Sequence, residues 1–352
     1  MARTDNLTNF LTDVATAIKE KKGDSAPIPA SSFDTEIENL PSGGGDENAI
    51  IDMSKIDSGK RITDTITKIP SITFSTSSSF FNISSFFSGC SNLTTINVTF
   101  GNNIQQASSL FNGCNNLTTI TGTLNTSNVG SFSNMFANCS NLTTIPNINT
   151  SKGTNFNNMF QSCSKLATIP SSIDTSKGTN LSGMFYDCNK ITTIPSSINT
   201  SSATNVSAMF QNCSNLTTIP SSIDTSSATS MSSMFNGCSS LTTIPSSINT
   251  SLATNVGSMF SGCSSLTTIP VFDLGKVVIG SNMRNMFSSC RNLTDTSLDN
   301  ILQSCISATR YTGTKTLSII GVSNKNYYPV SRIQSLPHYQ DFINAGWTIG
   351  YN

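Results

Sequence analysis

Through the middle of the chain, apolar residues recur in a fixed order between stretches of Ser, Thr and Asn. In one copy they fall at Val206, Met209, Phe210, Cys213, Leu216, Ile219 and Ile223. The steps of three and four from Val206 to Cys213 place those side chains on one face of about two helical turns. The Leu-x-x-Ile-Pro that follows is too short for another helix and rich in Thr and Ile, which suits a short extended segment. The pattern therefore predicts a helical arc, a short strand and a polar turn in each copy. Cysteines at 90, 114, 139, 163, 188, 213, 238, 263 and 290 give steps of 24, 25, 24, 25, 25, 25, 25 and 27. A fainter copy without Met-Phe and Cys opens the series at Ile66, Ile69 and Ile72.

One such unit cannot bury its own apolar edge, so neighbours must stack into a continuous core. Cys139, Cys163, Cys188, Cys213, Cys238 and Cys263, with Phe185, Phe210, Phe235 and Phe260, then form inward ladders, while the hydroxyl and amide residues between them face water. A further ladder, Asn125, Asn149, Asp174, Asn199, Asp224, Asn249 and Asp273, sits where the chain must turn. Asx side chains there can hold the backbone two residues on. The interleaved Asn keeps like charges from stacking. The expected fold class is a repeat solenoid of about ten coils of 24–25 residues, leucine-rich-repeat-like, with short strands and short helical arcs.

The consensus MFxxCxxLTTIPxxIxTSxxTNVxxMF resembles the BspA-type leucine-rich repeat of bacterial surface proteins and of phages of Gram-positive bacteria. The resemblance covers roughly residues 66–293. It implies a solenoid with a binding or adhesive role and no chemistry, and it leaves the target open.

Charge narrows the partners. The net charge is zero, charged residues are 11%, and residues 70–283 hold five Lys, four Asp, no Arg and no Glu. Such a surface has no basic stripe for a phosphate backbone. Nucleic acid is not an expected partner, and recognition must use hydroxyls, amides and apolar area, as sugar and protein binding do. Zinc would want close Cys pairs with His, but the chain has one His and its nearest Cys spacing is 15 residues. Single Asp residues two coils apart offer too few charged oxygens for calcium. Neither metal nor cofactor is expected. Stacked cysteines at about one strand spacing come within disulfide range, yet flanking Phe and Leu favour small, buried, reduced side chains.

The N-terminus is a different kind of sequence, holding all four Glu of the protein before residue 48. Leu7, Phe10, Leu11, Val14 and Ile18 lie at helical spacing, Gly23 stops that helix, Ser32 can cap a second, and Gly43–Gly45 form a joint. This helical hairpin is similar to the short module that opens many tail and minor structural proteins of Gram-positive phages. The similarity implies docking to other virion proteins of tail or baseplate through residues 1–45, and a host cell-surface glycan or protein as the target. It also allows a homo-oligomer such as a trimer. No apolar core of a signal peptide follows Met1 and no run is long enough to span a membrane, so membrane insertion is not expected. A bacterial surface adhesin would need export, whereas virions assemble in the cytoplasm and leave by lysis. The expected location is the virion, tail or surface fibre, after synthesis in the host cytoplasm, which fits reduced cysteines. A virion decoration protein or a bacterial surface leucine-rich repeat adhesin are the alternatives.

The organisation expected is an attachment module and Gly linker over 1–45, a lead-in over 46–65, the solenoid over 66–293 and an α/β C-terminal cap over 294–352. The cap should shield the last coil, beginning with a helix over 297–308. Cys305 has no place in the period. Candidate binding residues are the threonines before each Ile-Pro, Thr168, Thr193, Thr218, Thr243 and Thr268, and the aromatics Tyr327, Tyr328, Tyr339 and Trp347 of the cap. A flat threonine array would suit ice, but the proline two residues on interrupts it. Catalysis is not expected: the repeat body lacks the close carboxylate pair of a glycosidase, His338 with Asp341 has no nucleophile, and TGTKT is not a phosphate loop.

Overall fold

The computed structural model describes residues 49–52, 68–75, 81–100, 104–278, 282–317 and 327–350. The hairpin expected over Leu7, Phe10, Leu11, Val14 and Ile18 lies outside the described residues. The chain forms two compact units, Met1–Gly153 with Met159–Leu166, and Thr154–Asn158 with Ala167–Asn352.

The first unit holds β1 (Ala49–Asp52), β2 (Lys68–Ser75), β3 (Phe81–Asn82), β4 (Thr95–Phe100), β5 (Ile104–Gln106) and β6 (Thr119–Thr121). One parallel sheet runs β1-β2-β4-β6 and a second pairs β3 with β5. The register Thr95↔Thr119 and Ile96↔Ile120 sets each Leu-Thr-Thr-Ile beside its own copy one coil on. β1 extends this ladder into the lead-in expected to precede the repeats, pairing Ala49 with Ile72.

The arcs are not helices. In the second unit, Val206, Ala208, Phe210 and Asn212 donate their N–H groups to the carbonyls of Ser230, Ser232, Met234 and Asn236 in the next coil, at 2.7–3.0 Å. Met209, Gln211 and Cys213 donate back to Val206, Ala208 and Phe210 in their own coil, at 3.1–3.2 Å. An α-helix aims every N–H along its own axis. Here residues in the left-handed region, Ala208 at φ 54° and Asn212 at φ 62°, interrupt that direction, so alternate N–H groups reach the neighbouring coil. The result is a run of turns stitched into a parallel ladder. In the first unit Ser85, Phe87 and Gly89 donate to Ser108, Leu110 and Asn112 in the same way. The inward steps of three and four are common to a helix and to this arrangement.

The apolar ladders fill the inside. In the first unit Phe87, Phe111, Phe136 and Phe160 stack with ring centroids 5.3–5.6 Å apart, and in the second Phe185, Phe210, Phe235, Phe260 and Phe287 stack at 5.7–5.8 Å. Each is a nearly parallel pair, a geometry that adds to the effect of burial alone. All ten cysteines are buried and unbonded. The thiols of Cys114, Cys139, Cys163, Cys213, Cys238, Cys263 and Cys290 donate to a Phe carbonyl of the preceding coil at 3.1–3.2 Å. Desolvation is the main force that raises Cys139 and Cys263 to about 12. The thiol is thus a small core group that also serves an inward carbonyl.

The second unit ends in the cap: α1 (Asp295–Ser307), β7 (Thr316–Leu317), α2 (Val330–Gln334), α3 (Tyr339–Asn344) and β8 (Thr348–Ile349), with β7 and β8 parallel. Thr294 caps α1 by accepting from Ser297 N–H at 3.2 Å. α1 buries Leu298, Ile301, Leu302 and Cys305, which gives the off-period cysteine its place.

Candidate functional site

The outward face of the second unit is built on the same ladders. The Asx residues fix the corners, with Asp174, Asn199, Asp224, Asn249 and Asp273 each accepting from the N–H two residues on at 2.8–2.9 Å. The threonine after each of the first four is buried and donates to the Asx carbonyl one coil on, as Thr175 does to Asn199 at 2.7 Å and Thr200 to Asp224 at 2.6 Å. These carboxylates are engaged in turns, and among the described residues no group of three or more His, Cys, Asp or Glu could hold a metal ion.

Thr168, Thr193, Thr218, Thr243 and Thr268 are exposed, between an inward Leu or Ile and an inward Ile. Thr243 and Thr268 bridge in parallel, and the neighbouring Thr217 and Thr267 hydroxyls donate to Thr192 and Thr242 carbonyls at 3.4 and 3.1 Å. Proline follows two residues later in every case, at 170, 195, 220, 245 and 270.

A second exposed row escaped the sequence reading: Thr154, Thr179, Thr204, Thr229 and Thr254. Each of the last four donates twice to the carbonyl of the threonine before it, through N–H at 2.8–2.9 Å and through Oγ1 at 3.1–3.3 Å. The two bonds fix the side-chain rotamer, so methyl and hydroxyl point the same way in each coil. The adjoining Asn155, Asn180, Asn205, Ser230 and Asn255 bridge in register, which sets the row at one parallel strand spacing, about 4.8 Å. No proline interrupts it. Its signal in the sequence was the Thr-Asn dipeptide, Thr-Ser at Thr229, five residues ahead of Met-Phe in these coils.

The aromatic candidates of the cap divide. Tyr327 is 47% exposed, with the Arg291 guanidinium 5.7 Å from its ring centroid. Tyr339 is half-buried at the start of α3. Tyr328 and Trp347 are 1% exposed and are therefore core residues, not a binding tip. Tyr328 OH accepts from Leu293 N–H at 2.7 Å and donates to Cys290 carbonyl at 2.9 Å, and burial pushes its pKa to about 12. Trp347 packs against Tyr311 and Phe342 at 5.0 and 6.1 Å. His338 pairs with Asp299 and not with Asp341: Nδ1 lies 2.7 Å from Asp299 Oδ2, and His338 N–H donates to Oδ1 at 2.9 Å. Gln303 also donates to Asp299, at 3.1 Å, so this carboxylate joins α1 to the start of α3.

In each unit, coils of 24–25 residues with inward Leu, Phe and Cys ladders define a repeat solenoid of the leucine-rich class. The family model described as Mycoplasma protein of unknown function, DUF285, matches residues 75–197 and 179–301, and the chain belongs to that family. No curated protein matches the chain. Among solved structures it is similar to a leucine-rich repeat protein from Bacteroides ovatus ATCC 8483 at 17% identity, covering 74% of this chain and 76% of that one with a TM-score of 0.33. It is also similar to the T. pallidum leucine-rich repeat protein at 15% identity, covering 69% and 81%, with a TM-score of 0.27.

Proposed function

We propose that the protein is an adhesion-type binding protein, whose coils present a neutral hydroxyl surface to a glycan or protein on a bacterial cell, and that residues 1–45 dock it to a phage particle as a tail or surface fibre. The observation that carries the binding half is the exposed, rotamer-locked row Thr179, Thr204, Thr229 and Thr254. Fixed side chains lose little freedom on binding, which favours affinity, and the sparse charge makes binding nearly independent of salt. No chemistry is needed for this role. The docking half rests on the N-terminal resemblance alone.

A cell-surface adhesin is the second reading. It is favoured by the family description, which speaks of a Mycoplasma protein and so of a cell. Fluorescently labelled full-length protein on a panel of Gram-positive cells, at low and high salt, tests the binding half. A triple Thr179→Val, Thr204→Val, Thr229→Val variant should stay folded and lose cell binding. No preference among cells, or undiminished binding by the triple variant, rejects the threonine surface. Locating the native protein on purified particles or in the cell envelope by antibody decides between the two settings.

A further inference from the structure

The last coil carries a backbone edge from Thr267 to Leu274 that, in earlier coils, meets the next coil. Here it meets one stripe of α1. Ser297 Oγ donates to Thr267 carbonyl at 2.9 Å and accepts from Ile269 N–H at 3.2 Å. Asn300 Nδ2 donates to Ile269 carbonyl at 2.8 Å. Ser304 Oγ accepts from Phe272 N–H at 2.8 Å, and Ser307 Oγ accepts from Leu274 N–H at 2.9 Å and lies 3.3 Å from Phe272 carbonyl. Positions 297, 300, 304 and 307 share one helix face. Ser and Asn are ordinarily poor in helix interiors because their side chains compete for backbone groups. On α1 that competition is aimed at another segment, and the stripe offers donors and acceptors as a neighbouring strand would. Thr312 does the same further along, donating to Val278 carbonyl through N–H at 2.9 Å and Oγ1 at 3.0 Å.

Covering apolar core would need only Leu298, Ile301 and Leu302. The Ser/Asn stripe serves a different need, because an unpaired strand edge is a template for another chain. The position it covers is that of the sheet in the first unit: Thr267–Ile269 is the last copy of the Thr-Thr-Ile that builds β4 and β6. Among the described residues β1 ends that sheet, paired with β2 on one side. β1 and Thr267–Leu274 thus carry the two sides of one kind of parallel pairing, and contact between them in different copies would be head-to-tail.

We propose that the edge Thr267–Leu274 is a strand-accepting surface that fits β1 of a second copy of this chain, and that α1 holds it closed and so prevents end-to-end growth. Gln303→Pro in the full chain breaks α1. In sedimentation velocity over a range of concentrations, its mean mass should climb while that of the unaltered chain stays constant. Adding Ile50→Pro or, separately, Ile51→Pro should restore constant mass in whichever variant removes the outward N–H of β1. A folded Gln303→Pro chain of constant mass overturns the proposal, as does association that neither second proline affects, since that is apolar aggregation. Should Gln303→Pro fail to fold, the triple Ser297→Ala, Ser304→Ala, Ser307→Ala chain decides by hydrogen exchange. Amides of Ile269, Phe272 and Leu274 should then exchange at least about tenfold faster, as unprotected edges do, and unchanged exchange overturns the proposal.

Discussion

Gly183 and Ala208 occupy the same place in successive coils, and exchanging their identities separates a turn ladder from a helix by the sign of the effect. Both lie in the left-handed region, at φ 62° and 54°. A residue with a side chain is disfavoured there by about 1–2 kcal/mol, while glycine loses about 0.5–1 kcal/mol more chain freedom on folding. Ala208→Gly should therefore stabilise the protein by about 0.5–1 kcal/mol. In an α-helix the same change would cost about 1 kcal/mol. Gly183→Ala acquires the left-handed cost, and its Cβ would also run into Asn158 Oδ1. A loss of about 2–3 kcal/mol follows if Asn158 must shift as well. Urea unfolding followed by circular dichroism reads both changes as midpoint shifts at constant slope. Because repeat arrays lose cooperativity, exchange of the Phe210 amide, which donates to Met234 carbonyl at 2.9 Å, supplies a local reading. A lower midpoint with faster exchange in Ala208→Gly would refute the turn ladder and restore the helical arc.

Three other outcomes are expected. Phe210→Ala empties a fully buried place between two stacked rings and should cost about 3–5 kcal/mol, whereas exposed Ser202→Ala, which gives up one bond to Ser176 carbonyl, should cost under about 0.5 kcal/mol; equal losses would contradict the inward ladder. Native protein should react slowly with a thiol reagent and denatured protein at all ten cysteines, and several disulfides found by mass spectrometry of unreduced protein would overturn the thiol-to-carbonyl bonds. Burial holds Cys139 and Cys263 at about 12, against about 8.5 in an unfolded chain, so the unfolded state releases protons first. Stability is then complete below about pH 8.5 and falls towards pH 12 by about 1.4 kcal/mol per pH unit for each such thiol; a fold as resistant to urea at pH 11 as at pH 8 would refute this.

The period and the inward residues were legible because each coil repeats the same bulky and small apolar side chains, and stacking is the one way to bury them. The backbone of the arcs was not. Left-handed residues normally announce themselves as glycine, but here Ser109, Asn134, Asn158, Ala208, Ser233 and Ser258 take the position, so nothing broke the helical spacing. Tyr328 and Trp347 misled for a related reason: an aromatic in a terminal segment looks the same in sequence whether it closes a core or faces a partner. Asp299 and His338 are 39 residues apart in sequence, and Asp341 lay nearer; only the packing of α1 beside α3 chooses between them.

The two threonine ladders differ in what the fold asks of them. Thr175, Thr200, Thr225 and Thr250 are buried, and each hydroxyl serves a carbonyl one coil on, at 2.6–2.7 Å. An unserved carbonyl there would be costly, so their repetition is explained from within. The exposed row is different. From Thr179 to Thr254 each hydroxyl goes to an exposed threonine's carbonyl that already has an N–H partner, where a second bond adds little. Counted from its Asx corner, Val278 falls where Thr254 does; it is 40% exposed and its carbonyl takes Thr312 in the same two-pronged way, while the Thr254 carbonyl accepts from Asn282 Nδ2 at 3.0 Å. The turn tips beside the row vary freely, through Lys177, Ser202, Ser227 and Leu252. A position that the fold can fill with valine, yet that holds threonine in five coils, is the one on which the proposed binding surface rests.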